Sequence, residues 1–242
     1  MTLQEMLTHR RAVRDFDASQ PIDPERVRQC LELATLAPTS SNLQLWECYH
    51  VTNAELIKTL GVACLNQPAV TSAQQLVIFV VRPDYVYRRA QASLADGIAK
   101  AKQFLPEEMQ AKRIQGIEMY YNRFIPLQYR RFFGILGGIR KGLVQLLGLF
   151  RPMPRQVSEA AMRTVIHKSC ALVAQTFMLA MSEAGYDTCP LEGFDSWRVK
   201  RALGLPYSAK INMVISCGIR SPQGVLVERF RVPFEEVYHC VE

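Results

Sequence analysis

Across 242 residues the sequence has no Cys-x-x-Cys pair, no Gly-x-Gly-x-x-Gly, no Gly-x4-Gly-Lys-Ser/Thr, no Gly-x-Ser-x-Gly and no His-Glu-x-x-His. These absences count against a dithiol redox site, a dinucleotide-binding βαβ unit, a phosphate-binding loop, a hydrolase nucleophile elbow and a zinc-protease helix. The four histidines (9, 50, 167 and 239) are scattered, and no acids cluster at metal-ligand spacing. Nucleophilic and metal chemistry therefore lack their usual supports. The seven cysteines are odd in number and spread from Cys30 to Cys240, the pattern of reduced thiols in a cytoplasmic protein. Met1–Leu7 carries Glu5 and no apolar run, so no secretory signal is expected.

Charge is unevenly distributed. Arg82 to Lys168 holds 16 basic and 6 acidic residues, whereas the remainder holds 13 basic and 16 acidic. A basic middle segment suits nucleic acid, an anionic membrane or anionic small molecules, but no nucleic-acid-binding motif accompanies it. No nucleic-acid partner is expected.

Several elements can be read in order. Thr2–Thr8 reads as a short helix, and Asp23-Pro24-Glu25 as the capped start of another that ends at Pro38. Gln44–Val51 reads as a strand, Asn53–Gly61 as a capped helix, and Leu76–Val81 as a strand buried on both faces. Residues 83–156 turn helical and basic, with breaks at Pro106, Pro126 and Pro152. Within them Phe132–Phe150 is strongly apolar and has Gly134, Gly138 and Gly142 at four-residue spacing, which favours close helix contacts. Arg140 and Lys141 at its centre exclude a spanning helix. A lid over an apolar pocket, an interfacial membrane or partner-docking helix whose Arg130, Arg131 and Arg151 face lipid phosphate, and plain core packing all remain open, with peripheral membrane contact through 127–151 under the second reading. The apolar stripe Ile166, Cys170, Val173, Ala174, Phe177, Met181 and Ala184 marks a central helix closed by Gly185, and Ile211–Cys217 a last core strand. Strands and helices alternate without a regular βαβ rhythm.

Two arginine-rich segments stand at opposite ends of the chain: Arg10-Arg11-Ala12-Val13-Arg14-Asp15-Phe16 and Arg229-Phe230-Arg231-Val232-Pro233. Guanidinium forks suit phosphate and other oxyanions, although a solvated basic turn would look the same in isolation. Between them lie Ala37-Pro38-Thr39-Ser40-Ser41-Asn42-Leu43-Gln44-Leu45-Trp46, dense in small hydrogen-bonding side chains, and Pro190-Leu191-Glu192-Gly193. In this order the four stretches resemble the nitroreductase family of flavin enzymes.

The resemblance implies an α+β fold with a central, mainly antiparallel sheet surrounded by helices, in an interlocked homodimer that holds FMN at its interface. It implies one domain over 1–242, with 83–156 as a variable lid-forming insertion. Arg10, Arg229 and Arg231 would hold the FMN phosphate, with Arg11 and Ala12 beside them. Arg14 would lie at the pyrimidine edge and Asn66 would contact the same end. Pro38, Thr39, Ser40, Ser41 and Asn42 would come from the second subunit. The Pro190, Leu191, Glu192 and Gly193 turn would bring the Glu192 N–H to the ring, making Arg14 and Glu192 the residues nearest the chemistry. The implied activity passes a hydride from NADH or NADPH through FMN to a flat acceptor such as a nitroaromatic or quinone. A flavin-binding or membrane-docking role, and dehydrogenation, dehalogenation or flavin chemistry on the same fold, stay open as alternatives. Ala12 and Leu45 stand where many relatives carry Ser and Pro, and Ala69 where some carry Lys; losing that Lys leaves Arg14 the main cation at the pyrimidine edge.

Overall fold

The computed structural model describes residues 1–130 and 132–241; Arg131, one of the cations expected to face lipid phosphate, lies outside the described residues. Strands β1 (Trp46–Val51), β2 (Gln75–Val81), β3 (Asp187–Leu191) and β4 (Lys210–Gly218) form one antiparallel sheet in the order β1-β2-β4-β3. β2 is buried along its whole length because helices cover both faces. Val77, Phe79 and Val81 point into one apolar cluster, and Leu76, Ile78 and Val80 into another.

Helices α1 (Leu3–His9), α2 (Pro24–Ala34) and α3 (Ala54–Ala63) begin at Thr2, Asp23 and Asn53, whose side-chain oxygens accept otherwise unpaired N–H groups of the first turn. The expected run of α2 to Pro38 stops at Ala34. The next residues tighten, with the N–H groups of Thr35, Leu36 and Ala37 donating to the carbonyls three residues back. That fits the restriction a proline places on the residue before it.

After α4 (Pro68–Thr71) and β2 come α5 (Val86–Phe104), α6 (Glu107–Met119), α7 (Ile125–Tyr129) and α8 (Ile135–Leu147). Pro106 separates α5 from α6, as expected. Pro126 does not break the chain: the π-helical turn Tyr120–Phe124 joins α6 to α7 and absorbs the hydrogen bond that a proline cannot donate. The glycine reading also needs correction. A Cβ at Gly134, Gly138 or Gly142 would meet nothing within 4 Å, whereas one at Gly137 would come 2.6 Å from the Glu159 nitrogen. Gly137 is the close contact, and it docks α8 on the start of the next helix.

That helix, α9 (Glu159–Glu183), is the centre of the fold. It is long and apolar enough to cross a membrane, but here its apolar face packs on α2 and the sheet, with Phe177 against Phe79 at a ring separation of 5.7 Å. It ends as expected at Gly185, where φ is +77°. The N–H groups of Gly185 and Tyr186 return to the carbonyls of Ser182 and Met181 at 3.0 and 2.8 Å, the double closure of a glycine-capped helix. β3 follows at once, and Asp195 caps α10 (Ser196–Ala202).

Candidate functional site

Chemistry at the two arginine segments depends on what brings them together. β3 is an edge strand, and its free edge receives the N-terminal segment: Ala12 bridges Thr188 in parallel, and the Val13 N–H donates to the Thr188 carbonyl at 3.2 Å. The Arg14 N–H donates to the Gly224 carbonyl at 2.7 Å, and Phe16 bridges Arg220, so the same stretch also zips to the chain leaving β4. Gly218 makes room for this, since a Cβ there would stand 2.7 Å from the Phe16 ring.

A buried ion pair fixes the arrangement. Asp187, 3% exposed, accepts the Arg220 Nε–H and main-chain N–H at 2.9 Å each, and Arg220 also donates to the His9 carbonyl at 2.8 Å. Asp187 and Arg220 were not singled out in the sequence. A carboxylate at the start of a core strand calls for a cation, but nothing in the residue spacing says which of the 29 basic residues supplies it.

The result is a cleft of about 430 Å³ lined by Arg10, Arg11, Ala12, Arg14, Arg229 and Arg231, with Glu228 the acid among its lining residues. Its volume lies within the range of small-molecule sites. Arg11 donates to the Val227 carbonyl, and Arg229 to the carbonyls of Leu7, Thr8 and Arg10. These bonds position the guanidiniums without neutralising them. Burial, then the charges of Arg229, Arg231 and Arg11, hold the Arg10 guanidinium below its ordinary range. Burial, then Arg11 and Arg231, do the same to Arg229. The cleft is thus a set of preorganised cations under mutual repulsion, and an anion with several oxygens relieves it.

The Pro190–Gly193 turn leaves β3 beside this cleft. Arg14 and Arg10 oppose the rise that burial imposes on the Cys189 thiol, which places both cations near the strand. Thr188, Pro190 and Glu192 alternate along the free edge. Thr188 is met by Val13, Pro190 has no N–H to leave unpaired, and the Glu192 N–H has no partner among the described residues. Asn66 sits in the left-handed region (φ 51°) at the end of α3, its N–H donating to the Gly61 carbonyl at 2.9 Å and its side chain exposed. The neighbouring Gln67 amide ties the two segments together, donating to the Gly193 carbonyl at 2.7 Å and to the Cys64 carbonyl at 3.1 Å. Ala69, three residues after Asn66, is fully buried in the core.

The Pro38–Asn42 loop lies elsewhere in the chain. It precedes β1, at the opposite edge of the sheet from β3, and three strand spacings of roughly 4.8 Å put about 14 Å between those edges. Ser169 on α9 accepts the Ser40 N–H at 3.1 Å, and the Tyr121 hydroxyl donates to the Ser41 carbonyl at 3.1 Å. Ser41 and Asn42 both have positive φ (53° and 51°), a strained shape for non-glycine residues that these contacts hold in place. The Thr39 hydroxyl is buried without a partner among the described residues. Within one chain the structure brings the two arginine segments, the β3 turn and the Asn66 loop together, and leaves the hydroxyl loop apart.

Comparison with known proteins agrees with this fold. The nitroreductase family model matches residues 7–219. MhqN of Bacillus subtilis strain 168, whose name designates an NAD(P)H nitroreductase, is 25% identical over 232 residues, covering 96% of this chain and 95% of that protein. The oxygen-insensitive NADPH nitroreductase of Helicobacter pylori strain J99 is 23% identical over 201 residues, covering 83% and 78%. A protein from Exiguobacterium sibiricum, solved in complex with FMN, superposes with a TM-score of 0.68 at 21% identity over 100% of this chain and 98% of that one. Because the family model spans most of the chain, the chain belongs to the nitroreductase family.

Proposed function

We propose that this protein is an NAD(P)H-dependent oxidoreductase that holds FMN in the arginine cleft and reduces a flat acceptor such as a nitroaromatic or a quinone. The observation that carries this reading is the cleft itself: guanidiniums fixed by main-chain carbonyls, mutually repelling, beside the turn after β3, whose Glu192 N–H has no partner among the described residues. Arg10, Arg229 and Arg231 would hold the phosphate, and Arg11 would hold the Val225–Arg231 segment in place through Val227. Arg14, on the same cleft, would supply the cation for the pyrimidine end, and the Asn66 amide would contact the same end. The Glu192 N–H is the donor for the reacting end of the ring. When bound, FMN supplies a two-electron carrier between a nicotinamide and an acceptor, chemistry that needs no side-chain nucleophile.

The separation of the hydroxyl loop from the cleft supports a site completed by a second copy, with Pro38, Thr39, Ser40, Ser41 and Asn42 of one protomer facing the cleft of the other. Two damaged chains test both statements together. Arg10→Ala removes the phosphate cation, and Thr39→Ala with Asn42→Ala removes the loop's polar groups. Each homodimer should bind FMN weakly and turn over NAD(P)H slowly with a benzoquinone or a nitroaromatic. Mixed dimers carry one intact site and should recover up to half of both. No acceptor-dependent NAD(P)H oxidation by FMN-loaded wild type would refute the enzymatic reading. Activity without recovery on mixing would refute the shared site alone.

A further inference from the structure

Helix α8 is amphipathic in the wrong sense for a helix on a soluble protein. The face turned toward the protein carries the polar anchor. Arg140 donates to the carbonyls of Leu127 and Arg130 at 2.8 Å each and Val157 at 3.1 Å, and Gly137 lies against Glu159. The Glu159 carboxylate in turn accepts the N–H groups of Phe132 and Gly134 at 3.0 and 3.1 Å. Outward along the helix run Ile135, Ile139, Leu143 and Leu146, all more than half exposed, one stripe at helical spacing. Phe133 and Phe150 extend it at either end, 94% and 85% exposed.

Most of the charge along this stretch is of one sign, and its flanking Glu159 carboxylate is taken up by the N–H groups of Phe132 and Gly134. Between Glu118 and Glu159 the sequence has seven arginines and lysines and no Asp or Glu. Among the described residues Arg123, Arg130, Lys141, Arg151 and Arg155 are exposed. A face that is apolar at its centre and cationic at its margin, on a stretch with no acid in the 40 residues between Glu118 and Glu159, complements a surface that is apolar beneath an anionic layer.

Position argues against a lid over the cleft of the same chain. α8 docks at the N-terminal end of α9, whereas Met6, just before the arginine segment, accepts the Ser182 hydroxyl at its C-terminal end. About 35 Å of helix separates them at 1.5 Å per residue, so α8 does not lie over the cleft of its own chain.

We infer that the outward face of α8, with Phe133 and Phe150 at its ends, docks the protein on the surface of an anionic lipid bilayer. The exposed cations meet the headgroups, and the stripe lies along the headgroup–acyl boundary with the helix parallel to the membrane. This inference is independent of the flavin reading.

Co-flotation of the full-length protein with vesicles tests it. Vesicles of phosphatidylcholine containing about one third phosphatidylglycerol should carry the protein at low ionic strength, and pure phosphatidylcholine should carry at least about tenfold less. About 0.5 M salt should release most of it. Phe133→Ser with Phe150→Ser, and separately Lys141→Glu with Arg151→Glu, should each reduce flotation at least about tenfold. These side chains are exposed, so thermal melting should be unchanged and should show that the variants fold. Failure of wild type to float, or flotation that the two double variants leave unchanged, would overturn the inference. So would a change in oligomeric state on Phe133→Ser with Phe150→Ser, since the face would then belong to a second copy.

Discussion

The Arg229 guanidinium donates to the main-chain carbonyl of Arg10 while its charge repels the Arg10 side chain. One residue thus holds the other in place and raises its electrostatic cost. A cleft built this way is stable enough to fold and gains most when an anion arrives.

Replacing the cradle arginines should separate these two roles. Among the described residues Arg231 donates only to the adjacent Phe230 carbonyl, so Arg231→Ala should weaken FMN binding by about tenfold to a hundredfold with little change in apoprotein melting. Arg229 also ties Leu7, Thr8 and Arg10, so Arg229→Ala should weaken binding similarly and lower the apoprotein melting temperature as well. Equilibrium dialysis and calorimetry read the two effects separately.

Asp187→Asn should be among the most damaging single changes near the site, costing about 3–5 kcal/mol, because it leaves the Arg220 guanidinium without its buried counter-charge. Chemical denaturation measures the loss. A cost below about 1 kcal/mol would mean that the pair does not hold the arginine segment to β3.

The glycines of α8 give a paired test. Gly137→Ala forces a Cβ onto the Glu159 main chain and should destabilise by about 1–3 kcal/mol, whereas Gly138→Ala and Gly142→Ala face open space and should stabilise by up to about 1 kcal/mol each. Thermal melting of the three variants should rank them in that order.

His167 should make stability pH-dependent. β4 bulges beside Phe79 and Val80, and Asn212, the extra residue, turns its side-chain amide to the His167 Nδ1 at 3.1 Å. Burial, then Arg163, hold the imidazole below its ordinary value of 6.5. The folded protein therefore binds fewer protons at His167 than the unfolded chain. The contribution is complete above about pH 6.5 and declines as pH falls toward the depressed folded value. Denaturation midpoints across pH 5–8 should show a slope that His167→Gln reduces.

Thiol reactivity should follow burial. Burial pushes the Cys64 thiol up to about 11 and Cys170 to about 12, while Cys240 is exposed. A thiol reagent at neutral pH should modify Cys240 first in the native protein, and Cys240→Ser should remove that phase. Unfolding should expose all seven.

Much of this was legible in the sequence because it rests on local rules. Thr2, Asp23, Asn53 and Asp195 cap the helices they precede, Gly185 closes α9, and β2 reads as an unbroken apolar run because helices cover both its faces. The two arginine segments were legible as segments, and the fold brings Arg10–Arg14 against the tail. What was not legible is pairwise and distant. Nothing local to Asp187 selects Arg220, and nothing local to Gln67 points to Gly193. Gly137 hid among glycines at a more regular spacing, since which glycine meets a neighbour depends on the docking angle of α8. Pro126 suggested a break because a π turn four residues earlier leaves no mark in composition.

The central claim is that the arginine cleft holds a redox-active flavin. The visible absorbance spectrum of the purified protein, taken before and after anaerobic addition of NADH and then NADPH, tests it most directly. A flavin spectrum that bleaches with either donor, and that Arg10→Ala with Arg231→Ala largely abolishes, is the predicted result. A colourless protein that FMN cannot reconstitute, or a bound flavin that neither donor reduces, would contradict it.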